Sequence, residues 1–241
     1  MIVIADDEER KNIDVCKGSI GWASKAGGLD VLHLYEEVVS DSDIVFYPQP
    51  QLDSVYYQDA LDSSRYISLD CYFDTVQKDK FTELKRIAFE LGSKKCRLES
   101  YEETKSARVV KAGASARKKN GPEKASASID ADAKATSQTQ KSIVFSQTFE
   151  ENDNPRRPEL RWFAHDKEIE FLIDTRCNGG DAGKTKEYSM QLSSMAMQTM
   201  NVQTAIKIDK ALAKLGAACN FSLKGEALTE QRRTLVFEIE F

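Results

Sequence analysis

The side chains best suited to nucleophilic, acid–base or metal chemistry in this chain are its two histidines and five cysteines. His165-Asp166 follows Trp162-Phe163, and with Cys177 it supplies the parts of a cysteine–histidine pair. A simpler role accounts for each part. Asp166 precedes an apolar-periodic stretch through Ile169, Leu172 and Ile173, where a carboxylate accepts from the first helix amides, so it reads as an N-cap. His33 falls in a stretch, Leu29 to Val39, that reads as a short amphipathic helix, and there it serves packing. Cys16, Cys71, Cys96, Cys177 and Cys219 are odd in number and scattered, with no CxxC and only two histidines to join them. That spacing argues against a disulfide framework and against a zinc site, and fits reduced thiols in a cytoplasm. No catalytic residue, metal or cofactor is assigned.

Two further stretches carry partial motifs. Ile2-Val3-Ile4-Ala5-Asp6-Asp7-Glu8 resembles the acidic start of a receiver domain, where paired acids bind magnesium beside a phosphoaccepting aspartate. Asp53 stands at a suitable distance, but Gln49-Pro50-Gln51-Leu52-Asp53-Ser54 lacks the family's motif, and no later Lys-Pro pair follows. Asn178-Gly179-Gly180-Asp181-Ala182-Gly183-Lys184-Thr185 has the Gly, Lys and Thr of a phosphate-binding loop. That motif needs its first glycine where Asn178 stands, and a strand before it, so the stretch reads as a connector.

At 241 residues, 41% hydrophobic and 30% charged, the chain can bury a full core. Its apolar runs, such as Ile44 to Tyr47, are too short for a membrane-crossing helix, and its start lacks the pattern of a signal peptide. The net charge of −5 is unevenly spread. Residues 1–74 hold fifteen Asp/Glu against five Lys/Arg, whereas residues 105–124 hold seven basic side chains and one acid.

The elements follow from periodicity. Met1 to Ile4 and Asp43 to Tyr47 read as strands, and Ser68 to Leu91 as a long amphipathic helix stopped by Gly92. Between Cys96 and Phe149 the period changes to two around Asn120-Gly121, which predicts one long antiparallel hairpin. Pairing residues whose numbers sum to 241 sets Ala112 against Ile129 and Leu98 against Ile143, all on one face. Twenty-odd residues per arm at ~3.3 Å give about 70 Å. Helices near Asp166 to Cys177 and after Asn201, and two closing strands through Cys219-Phe221-Leu223 and Leu235 to Phe241, complete the reading. The expected fold is α+β, with long antiparallel hairpins forming a twisted sheet packed by about four helices. An acidic mixed region spans 1–67 and an α+β body spans 68–241, with the hairpin over 94–150 and the closing strands over 216–241.

The function expected from this plan is non-enzymatic binding and assembly. The hairpin pairs with a second copy or a protein partner through the face bearing Val110, Ala112, Ala114, Ala116, Ala125, Ala127, Ile129, Ala131, Ala133 and Ala135. Lys111, Arg117, Lys118, Lys119 and Lys124 offer an anionic partner a basic tip. No aromatic lies between Lys105 and Ser142 to stack on bases, which disfavours nucleic acid. A small α+β body with long hairpins also resembles the plan of gasdermin- and perforin-type proteins. That resemblance implies membrane insertion and pore formation at an anionic bilayer, with relocation from the cytoplasm on activation. An enzyme of unknown class is the second alternative.

Overall fold

The computed structural model describes residues 1–8, 18–105, 137–150, 152, 154–179, 186–217 and 219–241. The fold is α+β, built on two sheets.

The first sheet has six strands: β1 (Ile2–Ala5), β2 (Gly21–Ala26), β3 (Leu29–Tyr35), β4 (Val45–Tyr47), β5 (Val55–Gln58) and β6 (Arg65–Ser68). Their order is β2-β3-β1-β5-β6-β4, with β1–β3 and β4–β6 parallel and the remaining pairs antiparallel. Gly27 and Gly28, at φ 57° and 83°, make the two-residue turn between β2 and β3, a conformation that side-chain-bearing residues resist. A four-residue helix, α1 (Glu36–Val39), follows β3.

The second sheet is antiparallel throughout, in the order β8-β7-β10-β9: β7 (Lys95–Lys105), β8 (Ser137–Thr148), β9 (Glu187–Gln191) and β10 (Arg233–Glu240). Between the sheets runs α2 (Tyr72–Glu90), 19 residues and therefore about 28 Å long. Its first half buries Tyr72, Phe73 and Val76 with Val55 and Ile67 of the first sheet. Its second half buries Leu84, Ile87 and Ala88 with Leu98, Leu235 and Phe237 of the second. One amphipathic helix thus joins two cores, and its stripe has to stay apolar for its whole length.

Further α-helices among the described residues are α3 (Lys167–Asn178), α4 (Ser194–Met197), α5 (Val202–Leu215) and α6 (Leu223–Arg232). Asp166 caps α3, accepting from the Glu168 and Ile169 amides at 3.1 and 3.2 Å. Asn201 caps α5, and Gly216 ends it in the left-handed conformation at φ 71°. Ala205, Ile208 and Leu212 of α5 close the core of the first sheet, so the amino-terminal strands depend on a carboxy-terminal helix.

Three expectations are corrected. Leu29 to Tyr35 is a strand, and only Glu36–Val39 is helical. Val31, Leu34 and Tyr35 are all buried because β3 is central and covered on both faces, and such a run has no diagnostic period. Leu223 begins α6, capped by Ser222, where a strand through Cys219, Phe221 and Leu223 was expected. Leu98 lies opposite Phe145, and Ile143 lies opposite Glu99. A bulge at Val144 supplies one extra residue, which sends Ile143 and Phe145 to opposite faces although both numbers are odd. The turn at Asn120-Gly121 and the pairing of Ala112 with Ile129 lie outside the described residues.

Candidate functional site

The hairpin root is the first candidate. Among the described residues β8 is one of the two edge strands of its sheet, and apart from Phe145 the side chains from Lys141 to Thr148 are exposed, with Ile143 58% and Val144 37% accessible. Phe145 turns inward, its ring centroid 6.0 Å from Phe81 and 6.5 Å from Phe237. On the other face Glu99 is enclosed by three donors. The Lys141 ammonium lies 2.7 Å and the Tyr101 hydroxyl 2.6 Å from Oε2, and Arg97 closes on Oε1. Hydrogen bonds from Lys141 and Tyr101 hold the Glu99 carboxyl below its ordinary pKa, and the bond to Glu99 raises that of Lys141. This cluster fastens β8 to β7 beside the bulge, where Ile143 emerges.

The residues that the sequence assigns to the assembly face, Val110 to Ala135, and to the basic tip, Lys111 to Lys124, lie outside the described residues. The structure carries their neighbours on β7 and β8.

The second candidate is the junction of the first sheet with α2, the start of α5 and the turn at Arg161, where two clefts open side by side. The larger, about 650 Å³, is lined by Tyr57, Gln58, Tyr72, Thr199 and Asn201 among others. The smaller, about 220 Å³, is lined by Arg65, Asp79, Thr82, Arg86, Arg161 and Trp162, and both clefts touch Asp59 and Leu61. Arg65 sits between two carboxylates, 3.0 Å from Asp59 and 2.6 Å from Asp79. Buried Glu83 accepts the backbone amides of Arg161, Trp162 and Phe163 at 2.7, 2.9 and 3.5 Å, which fixes the turn carrying Trp162.

Behind that turn Lys80 is 1% exposed. Its ammonium donates to the Gln198 carbonyl oxygen at 2.9 Å and lies 5.0 Å from the centre of the Trp162 ring. Burial pushes its pKa down to about 8, against the opposing pull of Glu230. Glu230 in turn accepts from Gln77 at 2.8 Å and from the Thr199 amide and hydroxyl at 2.8 and 2.6 Å.

The nucleophile candidates fall apart in space. His165 precedes the cap of α3 and Cys177 lies in its last turn, about 15 Å along the axis from Lys167. Burial raises the Cys177 thiol, takes Cys96 up to about 11, and is the chief cause holding Cys219 near 12, which disfavours the reactive thiolate. One pair that the sequence did not announce is Ser24 Oγ and His33 Nε2, 2.9 Å apart across β2 and β3. Trp22 stacks on the imidazole at 4.3 Å and 4°, and burial lowers the His33 pKa. The contact satisfies two polar groups within the sheet.

The receiver-like start meets a different topology, since β1 pairs antiparallel with β5. Asp53 lies beside β1, donating its amide to Ile4 at 3.0 Å, in a turn with φ 59°. Among the described residues no group of three His, Cys, Asp or Glu could hold a metal ion, and no helix is long and apolar enough to cross a membrane. Comparison with protein-family models, curated proteins and solved structures finds no significant match.

Proposed function

We propose that this chain is a non-enzymatic assembly protein that pairs edge to edge with a second copy of itself through β8. The observation that carries this reading is the edge itself. β8 runs for twelve residues, SQTQKSIVFSQT, and its outer backbone groups pair with no described strand. Long edges are ordinarily blocked by charges, proline or bulges. Here the guards are one charge, Lys141, and the bulge at Val144, beside which Ile143 stands exposed. Two copies related by a two-fold axis would bring Ile143 and Val144 of each against the other in an isologous contact. The basic residues Lys111, Arg117, Lys118, Lys119 and Lys124 would then meet an acidic surface of the assembly. The separation of His165 from Cys177 and the raised thiols support the non-enzymatic part of the reading.

Light scattering after size-exclusion chromatography, over a range of protein concentrations, tests the proposal. It predicts a defined oligomer that the Ile143→Asp variant loses. A wild-type chain that stays monomeric at about 100 μM overturns it, since that concentration would populate even a weak dimer. Dye release from anionic liposomes by the same protein overturns it too, in favour of the pore-forming reading that the alternation over 110–135 suggests.

A further inference from the structure

The smaller junction cleft has formal charges that cancel but do not coincide. Asp59, Asp79 and Glu83 face Arg65, Arg86 and Arg161. At one end Asp59 and Asp79 share the single guanidinium of Arg65, which leaves residual negative charge there. In the middle, the Glu83 carboxylate is occupied by three backbone amides. At the other end two guanidiniums have unused donors. Arg86 gives one bond, to the Glu159 carbonyl oxygen; its Nε is buried without a hydrogen-bond partner, and Glu90 stands 4.0 Å away, beyond hydrogen-bond reach. Arg161 is exposed, and its charge, after the hydrogen bonds from Ser64, helps to hold the Asp62 carboxyl below its ordinary pKa, so its one acidic neighbour here acts through the field.

A simple anion entering this cleft meets the Asp59–Asp79 end, and a simple cation meets Arg86 and Arg161. A ligand carrying both charges a short distance apart satisfies both ends. The spacing sets that distance. Asp79 and Arg86 are seven residues apart on α2, so about 10.5 Å along its axis. An ammonium and a carboxylate about 3 Å apart, with a hydrogen bond of about 2.8 Å at each end, span roughly 8–9 Å. From these relations we propose that the smaller cleft binds a free α-amino acid as its zwitterion. The carboxylate lies on Arg86 and Arg161, and the ammonium lies against Asp79. The ligand's side chain passes over Asp59 and Leu61 into the larger cleft, where Tyr57, Tyr72 and Asn201 offer aromatic and amide contacts.

The test is thermal unfolding of the intact chain with each of the twenty common L-amino acids at about 10 mM, followed by calorimetry on any that raises the melting temperature. The Arg161→Gln variant runs alongside. That substitution keeps the backbone amide that Glu83 holds, and its unliganded melting temperature reports whether the fold is intact. The expected result is stabilisation by one or a few amino acids, with a dissociation constant raised about tenfold or more in the variant. The N-acetylated and carboxamide forms of the same amino acid should lose the effect, because each lacks one of the two charges. Stabilisation by none of the twenty overturns the proposal, as does binding unchanged by Arg161→Gln. An effect reproduced by inorganic phosphate alone also overturns it, by marking a simple anion site.

Discussion

Lys80 donates its ammonium to the Gln198 carbonyl oxygen at 2.9 Å, beneath the Trp162 ring, at the point where the two cores meet. Its pKa is about 8 in the fold against 10.5 for the free side chain. Between those values the unfolded chain binds more protons than the folded one, so stability rises with pH across that window. Below pH 8 both states are charged and the burial cost is constant. The free energy of unfolding of the wild type, relative to Lys80→Met, should therefore climb by up to about 3 kcal/mol from pH 8 to pH 10.5. Urea denaturation of both proteins at several pH values checks this. Parallel curves would mean that Lys80 titrates normally.

Gly27 and Gly28 share one turn and differ in their surroundings. A Cβ on Gly27 would stand 2.5 Å from the Lys207 carbonyl oxygen and 2.7 Å from the Ala211 amide nitrogen, both backbone atoms of α5. A Cβ on Gly28 meets nothing within 4 Å. Gly28→Ala should cost only the left-handed conformational strain, about 1–2 kcal/mol. Gly27→Ala adds displacement of α5 from the sheet and should cost about 1–3 kcal/mol more. Equal losses in denaturation would show that α5 yields freely at this contact.

The legible parts of the fold were those with an unbroken period. The stripe of α2, the Asp166 and Asn201 caps and the Gly216 stop could all be read because each depends on neighbours within one turn. β3 was misread because a strand buried on both faces has no alternation. The hairpin parity failed at Val144, since a single inserted residue reverses the face of everything beyond it. The junction cleft could not be read locally. Asp59, Arg65, Asp79, Arg86 and Arg161 come from three separate stretches, and only the packing of α2 between the sheets brings them together.

Glu83 fixes the Arg161–Phe163 turn through three amides from a nearly enclosed position. Glu83→Gln keeps the size but replaces one acceptor oxygen with a donor and removes the charge. The expected loss is about 2–3 kcal/mol, the scale of hydrogen bonds to a charged acceptor. It should come with faster proteolysis at Arg156 or Arg161, in the connector that the turn anchors. Unchanged cleavage and stability would show that the packing of Phe163 alone holds the segment.

Ile143 and Phe145 separate folding from assembly. Phe145 points inward, opposite Leu98, and packs against Phe81 and Phe237. Ile143, two residues before it and across the bulge, is 58% exposed on the edge strand. A carboxylate at the first position must enter an apolar core, so Phe145→Asp should cost about 3–5 kcal/mol and shift the denaturation midpoint strongly. At the second position a carboxylate stays in water, but it faces Glu99 across the strand pair and shares Lys141 with it, so Ile143→Asp should cost about 1 kcal/mol or less. If β8 pairs with a second β8, that same variant sets two new negative charges at the centre of the contact and should abolish oligomers while leaving the monomer folded. Denaturation and light scattering on the two variants read the effects independently. An Ile143→Asp chain that still assembles, with its stability unchanged, would remove β8 as the interface.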